Sequence, residues 1–442
     1  MKKYVFIILL VLLFSACGRA EEESYEEEIP GQTQNDIANW DDAVNRAFLD
    51  DLDYMLYVLE NNFALFDVAY WARGVDIYTI VDNIRAEILA DPNMDADGFY
   101  NALDRHFRPL QHIGHFMIVS PRMHYYFATG AMQVGTSRAL VRLRYPHVLA
   151  FYEPRHPRAA RPLEGILTQV FTAASVPPTN VTTNIIEDGR IAYMSILSFM
   201  GYRSFNPAAW ERDLAQIFDF YDEIQGFEHL IIDLRANGGG FIPYFLEAVV
   251  GPNIESGVWL DVYYFLIYGD YSSEFATPAV LSTIQAGTFN PLDWEMIPID
   301  RMLSDFDLPE FNTADANRIQ YGFHAARRIS TDHQARFDNQ PAFDGQIWLL
   351  TGPGTGSAAQ VSAWIAKESG FATLVGDTTG GNYGGPRTLV ALPNTGILFQ
   401  MDVFYATDGH GRPLEAGTIP HHFNRPGMDA LETTLVLIKE TP

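Results

Sequence analysis

The chain is 442 residues long, and its 48% hydrophobic and 13% aromatic content excludes general disorder and supplies enough apolar surface for a large core. Its formal charge of −26 excludes a nucleic-acid phosphate backbone as an expected partner, because such binding needs a basic surface. Length alone suggests two or three domains.

Residues 1–16, "MKKYVFIILLVLLFSA", carry two lysines, an apolar run too short for a comfortable membrane span, and small residues before Cys17. They read as an export signal. The end, "FSAC", resembles the bacterial lipoprotein signal, in which the cysteine becomes the lipidated first residue, with Phe14 in place of the more usual leucine. Cys17 is also the only cysteine, so no intrachain disulfide can form. Cleavage without lipidation and an uncleaved anchor are the alternatives. The expectation is an exported chain held at the bacterial cell envelope by a lipid.

Residues 17–40 include six glutamates between Glu21 and Glu28 and read as an acidic, solvated tether. Over residues 41–115 apolar residues recur at helical spacing: Val44, Phe48, Leu52, Met55, Leu56 and Leu59, then Ile77, Ile80, Val81, Ile84 and Ile88. A third amphipathic piece surrounds Phe99, Leu103 and Phe107, and the whole is expected to be an N-terminal helical subdomain. Residues 116–183 are rich in β-branched and aromatic side chains and are expected to be a β-rich connector. From 184 to 442 apolar strands alternate with helices: "GRIAYMSILSF" as a strand, "NPAAWERDLAQIFDFYDEIQG" as a helix, "HLIIDL" as a strand, then "QIWLLT" and a helix again. That alternation predicts an α/β fold whose mixed, mostly parallel sheet core is flanked by helices. The segment at about 241–344 is aromatic and irregular, and is expected to be an insertion of helices and loops over the sheet.

In such a sheet the reactive groups gather beyond the carboxyl ends of the strands. "LLTGPGTGSAAQVSAW", residues 349–364, places Ser357 there, between a strand and a helix. A serine at that position can simply cap the helix. A phosphate cradle is a poorer match, because "GPGTGS" lacks the lysine of a P-loop, and the G-x-S-x-G elbow is also missing. A nucleophile would need a base and donors for the oxyanion. His115 in "QHIGHF" is a candidate base, although alone it could be structural. "DLRANGGG", residues 233–240, ends a strand in glycines whose amides can face a site unobstructed, although alone it could be only a tight turn. No His/Cys/Asp/Glu cluster shows metal-ligand spacing, so neither metal nor cofactor is expected.

The order of these motifs resembles the S41 peptidase family, the tail-specific and tricorn-core serine peptidases. "IGHF" is similar to the family's histidine motif, "DLRANGGG" to its glycine turn, "GTGSAAQ" to its nucleophile motif, "LVGDTTGG" to the strand and turn that follow, and "GRPLEAGTIPHH" to its terminal segment. The resemblance implies a ClpP/crotonase-like core and a peptide or protein substrate. It also implies Ser357 as nucleophile, His115 as general base, Glu415 as the acid of the polar network, and the amides of Gly239 and Ala358 as oxyanion donors. The departures are informative. The base lysine of the tail-specific branch would fall in "TTGGNYGG", which has none, and Lys367 in the following helix is expected to face solvent. Gly114 stands where the tricorn type has a second serine, Gln360 replaces a frequent glutamate, and His421 replaces an aspartate. Residues 120–183 show no PDZ signature. A non-catalytic binding lipoprotein on the same fold and a small-acyl esterase are the rival readings.

Cys17→Ser is expected to move the protein from the membrane fraction to the soluble fraction. Mass spectrometry of the mature amino terminus checks this, and an unmodified Cys17 rejects the lipoprotein reading.

Overall fold

The computed structural model describes residues 43–129, 137–156, 179–203, 206–254, 257–276, 289–291, 296–329, 342–383 and 385–440. The signal sequence, Cys17 and the acidic tether lie outside the described residues. The chain opens with α1 (Ala43–Asn62), α2 (Phe66–Arg73), α3 (Ile77–Ala90) and α4 (Ala96–Phe107). Asp76 and Asp95 cap α3 and α4 by accepting the amides of Tyr78 and Gly98. Ile77, Ile80, Val81, Ile84 and Ile88 are all buried, as their spacing predicts. After a short 3-10 turn the chain enters β1 (Met117–Ile118).

The connector departs from expectation. Its described residues form α5 (Pro121–Ala128), α6 (Ser137–Arg142) and α7 (Pro146–Tyr152), with strand only in β1 and at the start of β2 (Val181–Glu187). Ser120 caps α5 by accepting the amide of Met123, and Pro121 and Pro146 pre-set the first turns of α5 and α7. Those local signals outweigh the β-propensity of the aromatic residues, and Phe127, Phe151 and Tyr152 are buried on helix faces instead.

The core follows as β3 (Ile191–Ile196), α8 (Pro207–Glu223), β4 (His229–Asp233) and α9 (Ile242–Phe245). Then come β5 (Val258–Leu266), β6 (Phe289–Pro291), β7 (Ile297–Pro298), α10 (Ile299–Asp305) and β8 (Tyr321–Ile329). The chain returns through β9 (Gln346–Thr351), α11 (Ala358–Glu368), β10 (Thr373–Gly376), β11 (Arg387–Ala391), β12 (Leu398–Asp402), β13 (Tyr405–Thr407), β14 (His422–Phe423) and α12 (Ala430–Glu440).

The central sheet has the order β14-β10-β9-β4-β3-β2, parallel throughout except for the β2–β3 pair. Alternate residues face opposite ways. Ile231, Trp348, Leu350 and Val375 pack with Ala430 and Ile438 of α12, whereas Leu230, Ile232, Leu349 and Leu374 join a large core that also takes in Ile217 of α8 and Val361 and Ile365 of α11. The sheet is therefore covered on both faces, as the continuous apolar runs predict. The same large core contains Leu52, Ile84 and Leu103 of the helical start, which is thus built onto the α/β core.

The insertion is the second correction. Helices and loops are expected over 241–344, but β5 and β8 form a long antiparallel pair that β6 and β7 join along β8 and β13 joins along β5. Its alternation is masked because β5 is buried over most of its length, and one of its partners, β13, lies in a distant part of the chain.

A third sheet, β1-β12-β11, ties the helical start to the core. Asp51 of α1 secures the β11–β12 connection: it is fully buried and accepts from the amide and side chain of Asn394 and from the amide and hydroxyl of Thr395. Asp51→Ala would strand these donors. It is expected to lower stability by about 1–3 kcal/mol, read as a shift in the thermal or urea midpoint, and an unchanged midpoint would show that the cap is dispensable.

Candidate active site

Ser357 sits between β9 and α11 with φ 50° and ψ −122°. Its hydroxyl does not cap α11. It donates instead to Nε2 of His115, at 3.2 Å. The turn that carries it is laced to the glycine turn after β4: the Gly356 amide donates to the Asn237 carbonyl at 3.1 Å, and the Thr355 hydroxyl to the Leu234 carbonyl at 2.8 Å. Gly239, at φ 105°, lies against Ser357 so closely that a Cβ there would be 2.7 Å from the Ala358 nitrogen and 2.9 Å from Ser357 Cβ. Only glycine fits that position.

The two expected oxyanion donors are thus neighbours, but they differ in state. The Ala358 amide, at the head of α11, has no acceptor among the described residues, whereas the Gly239 amide donates to Asn237 Oδ1 at 2.8 Å. Asn237 is fully buried, and its Nδ2 donates to the Ile196 carbonyl at the end of β3. One side chain therefore fixes the glycine turn against the sheet.

His115 is held at three points. Its amide donates to Asn382 Oδ1 at 2.8 Å, its carbonyl accepts from Gln400 Nε2 at 2.9 Å, and its Nδ1 donates to Asp402 Oδ2 at 2.9 Å. A proton on Nδ1 leaves Nε2 as an acceptor facing the serine hydroxyl. Asp402 is 1% exposed; its Oδ2 also accepts the Gly385 amide at 3.0 Å, and its Oδ1 is buried without a donor among the described residues. His115, Ser357 and Asn382 are the only non-glycine residues at positive φ among those described, and all three belong to this site. Each such conformation costs roughly 1–3 kcal/mol and persists only where surrounding contacts over-determine it.

Glu415 is placed differently from the expectation that it completes the network beside the histidine. Its two oxygens accept the amides of Gly114 and Tyr383, at 2.7 and 2.9 Å, so it braces the backbone on either side of the ring that Asp402 holds. Burial, and next the charge of Asp402, push its carboxyl up to about 7. A second serine, as in the tricorn type, would be strained here, because Gly114 has φ 57° and a side chain would press on its neighbours. A Cβ on Gly114 would be 2.7 Å from Leu65 Cδ1 and 2.8 Å from Phe63 Cε2.

A serine, a histidine on a buried carboxylate and a glycine turn meet at the carboxyl ends of a parallel sheet. The model of peptidase family S41 matches residues 190–423. The chain belongs to peptidase family S41. Its structure is similar to that of a protein assigned as a peptidase from Parabacteroides merdae, with 16% identity, a TM-score of 0.50, and coverage of 88% of this chain and 96% of that one. It is likewise similar to mature CPAF complexed with lactacystin, with 16% identity, a TM-score of 0.50, and coverage of 86% and 94%. At that identity the likeness shows the fold. No curated protein matches the sequence.

The departures of this S41 chain from its relatives' motifs find physical roles. Lys367 is tied to the Ile419 carbonyl at 2.9 Å on the outer side of α11. Gln360 Oε1 accepts from Thr379 and Thr418, and its Nε2 donates to the Leu414 carbonyl, so an amide joins the segment beside Glu415 to α11. His421 Nδ1 accepts the Leu374 amide at the edge of the sheet. Sequence reasoning missed Asp402, Asn382, Gln400 and Asn237. A signal exists for two of them: Gln400 and Asp402 are polar at alternate positions of the otherwise apolar "LFQMDV", which puts both on one face of β12.

Two predictions follow from this arrangement. Asp402→Asn keeps the shape but no longer favours a proton on Nδ1 of His115, and turnover of a reporter peptide is expected to fall by roughly a thousandfold or more, with Glu415→Gln costing less. Because the Glu415 carboxyl is raised in the folded state, the folded protein binds its proton more tightly than the unfolded chain does. Stability therefore falls as pH rises from about 4.5 to about 7, by on the order of 3 kcal/mol from this group. Urea unfolding at pH 5 and pH 7.5 is expected to show a smaller difference for Glu415→Gln than for the parent, and equal differences would contradict a raised Glu415.

Proposed function

We propose that this S41 chain is a serine-type peptidase that hydrolyses peptide bonds through an acyl-enzyme on Ser357, at the bacterial cell envelope, where a lipid on Cys17 would anchor it. The observation that carries the reading is the 3.2 Å contact between Ser357 Oγ and His115 Nε2, with Nδ1 on the buried carboxylate of Asp402. Ser357 Oγ attacks the peptide carbonyl carbon while its proton passes to His115 Nε2. The resulting oxyanion is held by the Ala358 amide, supported by the dipole of α11, and by the Gly239 amide as it exchanges Asn237 Oδ1 for the stronger, charged acceptor. Collapse breaks the carbon–nitrogen bond, and His115 returns the proton to the departing amine. A water molecule, deprotonated by His115, then releases the acyl group and restores Ser357. Asp402 orients the imidazole and stabilises its charged form, and Glu415 keeps the flanking backbone in place.

Labelling of the purified soluble domain by a fluorophosphonate probe tests the reading. Labelling at Ser357 that is lost in Ser357→Ala and cut strongly in His115→Ala is the expected result. Labelling that persists in Ser357→Ala would put the nucleophile elsewhere, and no labelling of the parent would favour a binding protein on this fold. Hydrolysis of small acyl esters without peptide cleavage would favour the esterase.

A further inference from the structure

Resting on the peptidase reading, we propose that Arg73 is a specificity residue that binds a carboxylate of the substrate beside Ser357. Arg73 is the last residue of α2 and is exposed. Its Nη2 donates to the Gly380 carbonyl at 2.7 Å and lies 3.0 Å from where a Cβ on Gly381 would be. The carbonyl of Gly381 in turn accepts the Ser357 amide at 3.0 Å, so the guanidinium is separated from the nucleophile's own turn by a single residue of chain.

A guanidinium offers five N–H donors in a planar fork, and the Gly380 carbonyl takes one direction only. Acidic residues outnumber Lys and Arg by 55 to 29, and Arg85, Arg105, Arg235, Arg318, Arg412 and Arg425 each sit on a carboxylate. Arg122, Arg138, Arg144 and Arg387, like Arg73, meet no carboxylate among the described residues; Arg73 differs from those four in its place against the 380–381 turn. The acids nearest in the network, Asp402 and Glu415, are turned to His115 and to the amides of Gly114, Tyr383 and Gly385. In a chain this acidic an anionic substrate is repelled at long range, so the remaining donors of a fork set one residue of chain from the Ser357 turn are the feature that can select for a carboxylate once the substrate is seated. Tyr70, 65% exposed and one helical turn before Arg73 on the same face, offers an aromatic surface for the adjoining residue.

The carboxylate could be the α-carboxylate of a peptide's end or the side chain of an Asp or Glu. Fluorescence anisotropy with the Ser357→Ala full chain separates these and does not depend on catalysis. One peptide pair has neutral side chains and ends in a carboxylate or a carboxamide; the other is amidated and carries an internal Glu or Gln. In at least one pair the carboxylate form is expected to bind roughly tenfold or more tightly. That ratio is expected to fall to about one in Ser357→Ala/Arg73→Met and to be partly kept in Ser357→Ala/Arg73→Lys, which retains charge without the fork. The responding pair names the source of the carboxylate. Ratios near one in both pairs, or a ratio that survives Arg73→Met, would overturn the proposal even where the parent enzyme is labelled at Ser357; absence of that labelling counts against the peptidase reading instead.

Discussion

The antiparallel ladder between residues 114–119 and β12 is the contact on which the site depends. Met117 and Ile118 face Gln400 and Phe399, and the ladder is extended at one end by the Val119 amide on the Leu398 carbonyl and at the other by the Asp402 amide on the Gly114 carbonyl. This short pairing carries the end of the helical start to the strand that holds Gln400 and Asp402. Strand alternation then puts both side chains on one face, where one grips the backbone of His115 and the other its ring. Behind the ladder, the Tyr152 hydroxyl donates to Val119 and accepts from Leu398, so the helical connector locks the register from the far end.

The second requirement is that strained backbone be held in place. His115, Ser357 and Asn382 occupy conformations that side chains ordinarily avoid, and they are bonded to one another or to shared partners: Asn382 holds the His115 amide, and Gly381, beside Asn382, holds the Ser357 amide. The segment 380–383 is therefore the clamp between His115 and Ser357. Asn382 in this stretch holds the backbone of His115. Charge is distributed in the same spirit. Asp402 meets the imidazole directly, and Glu415 is kept one step back on amides, where its burial and its neighbour's charge raise its proton affinity.

The pieces of the site were legible as local signals, and their joining into one site followed from the resemblance to the family. Glycines that allow close approach mark the turn at 239, and an apolar strand followed by glycine, serine and a helix marks 357. The covered, mostly parallel sheet followed from continuous apolar runs. The connector and the insertion were misjudged because composition does not separate a buried aromatic helix face from a strand, and because β5 finds β13 only across the fold.

The sequence by itself determined the alternation of strands and helices in the core, the glycine turn after β4, and a serine between a strand and a helix, since each is encoded by residues within a few positions of one another. Only the tertiary structure decided which acid meets the histidine. Asp402 is 287 positions from His115 and Glu415 is 301 from Gly114, and nothing in spacing or composition ranks two buried acids so far away. The choice is made by strand register: β12 runs beside the histidine and points Asp402 at its ring, while Glu415 arrives on a separate turn and meets the backbone. The state of the Gly239 amide was likewise decided only in three dimensions, because it depends on where the buried side chain of Asn237 turns once the end of β3 has fixed its other half.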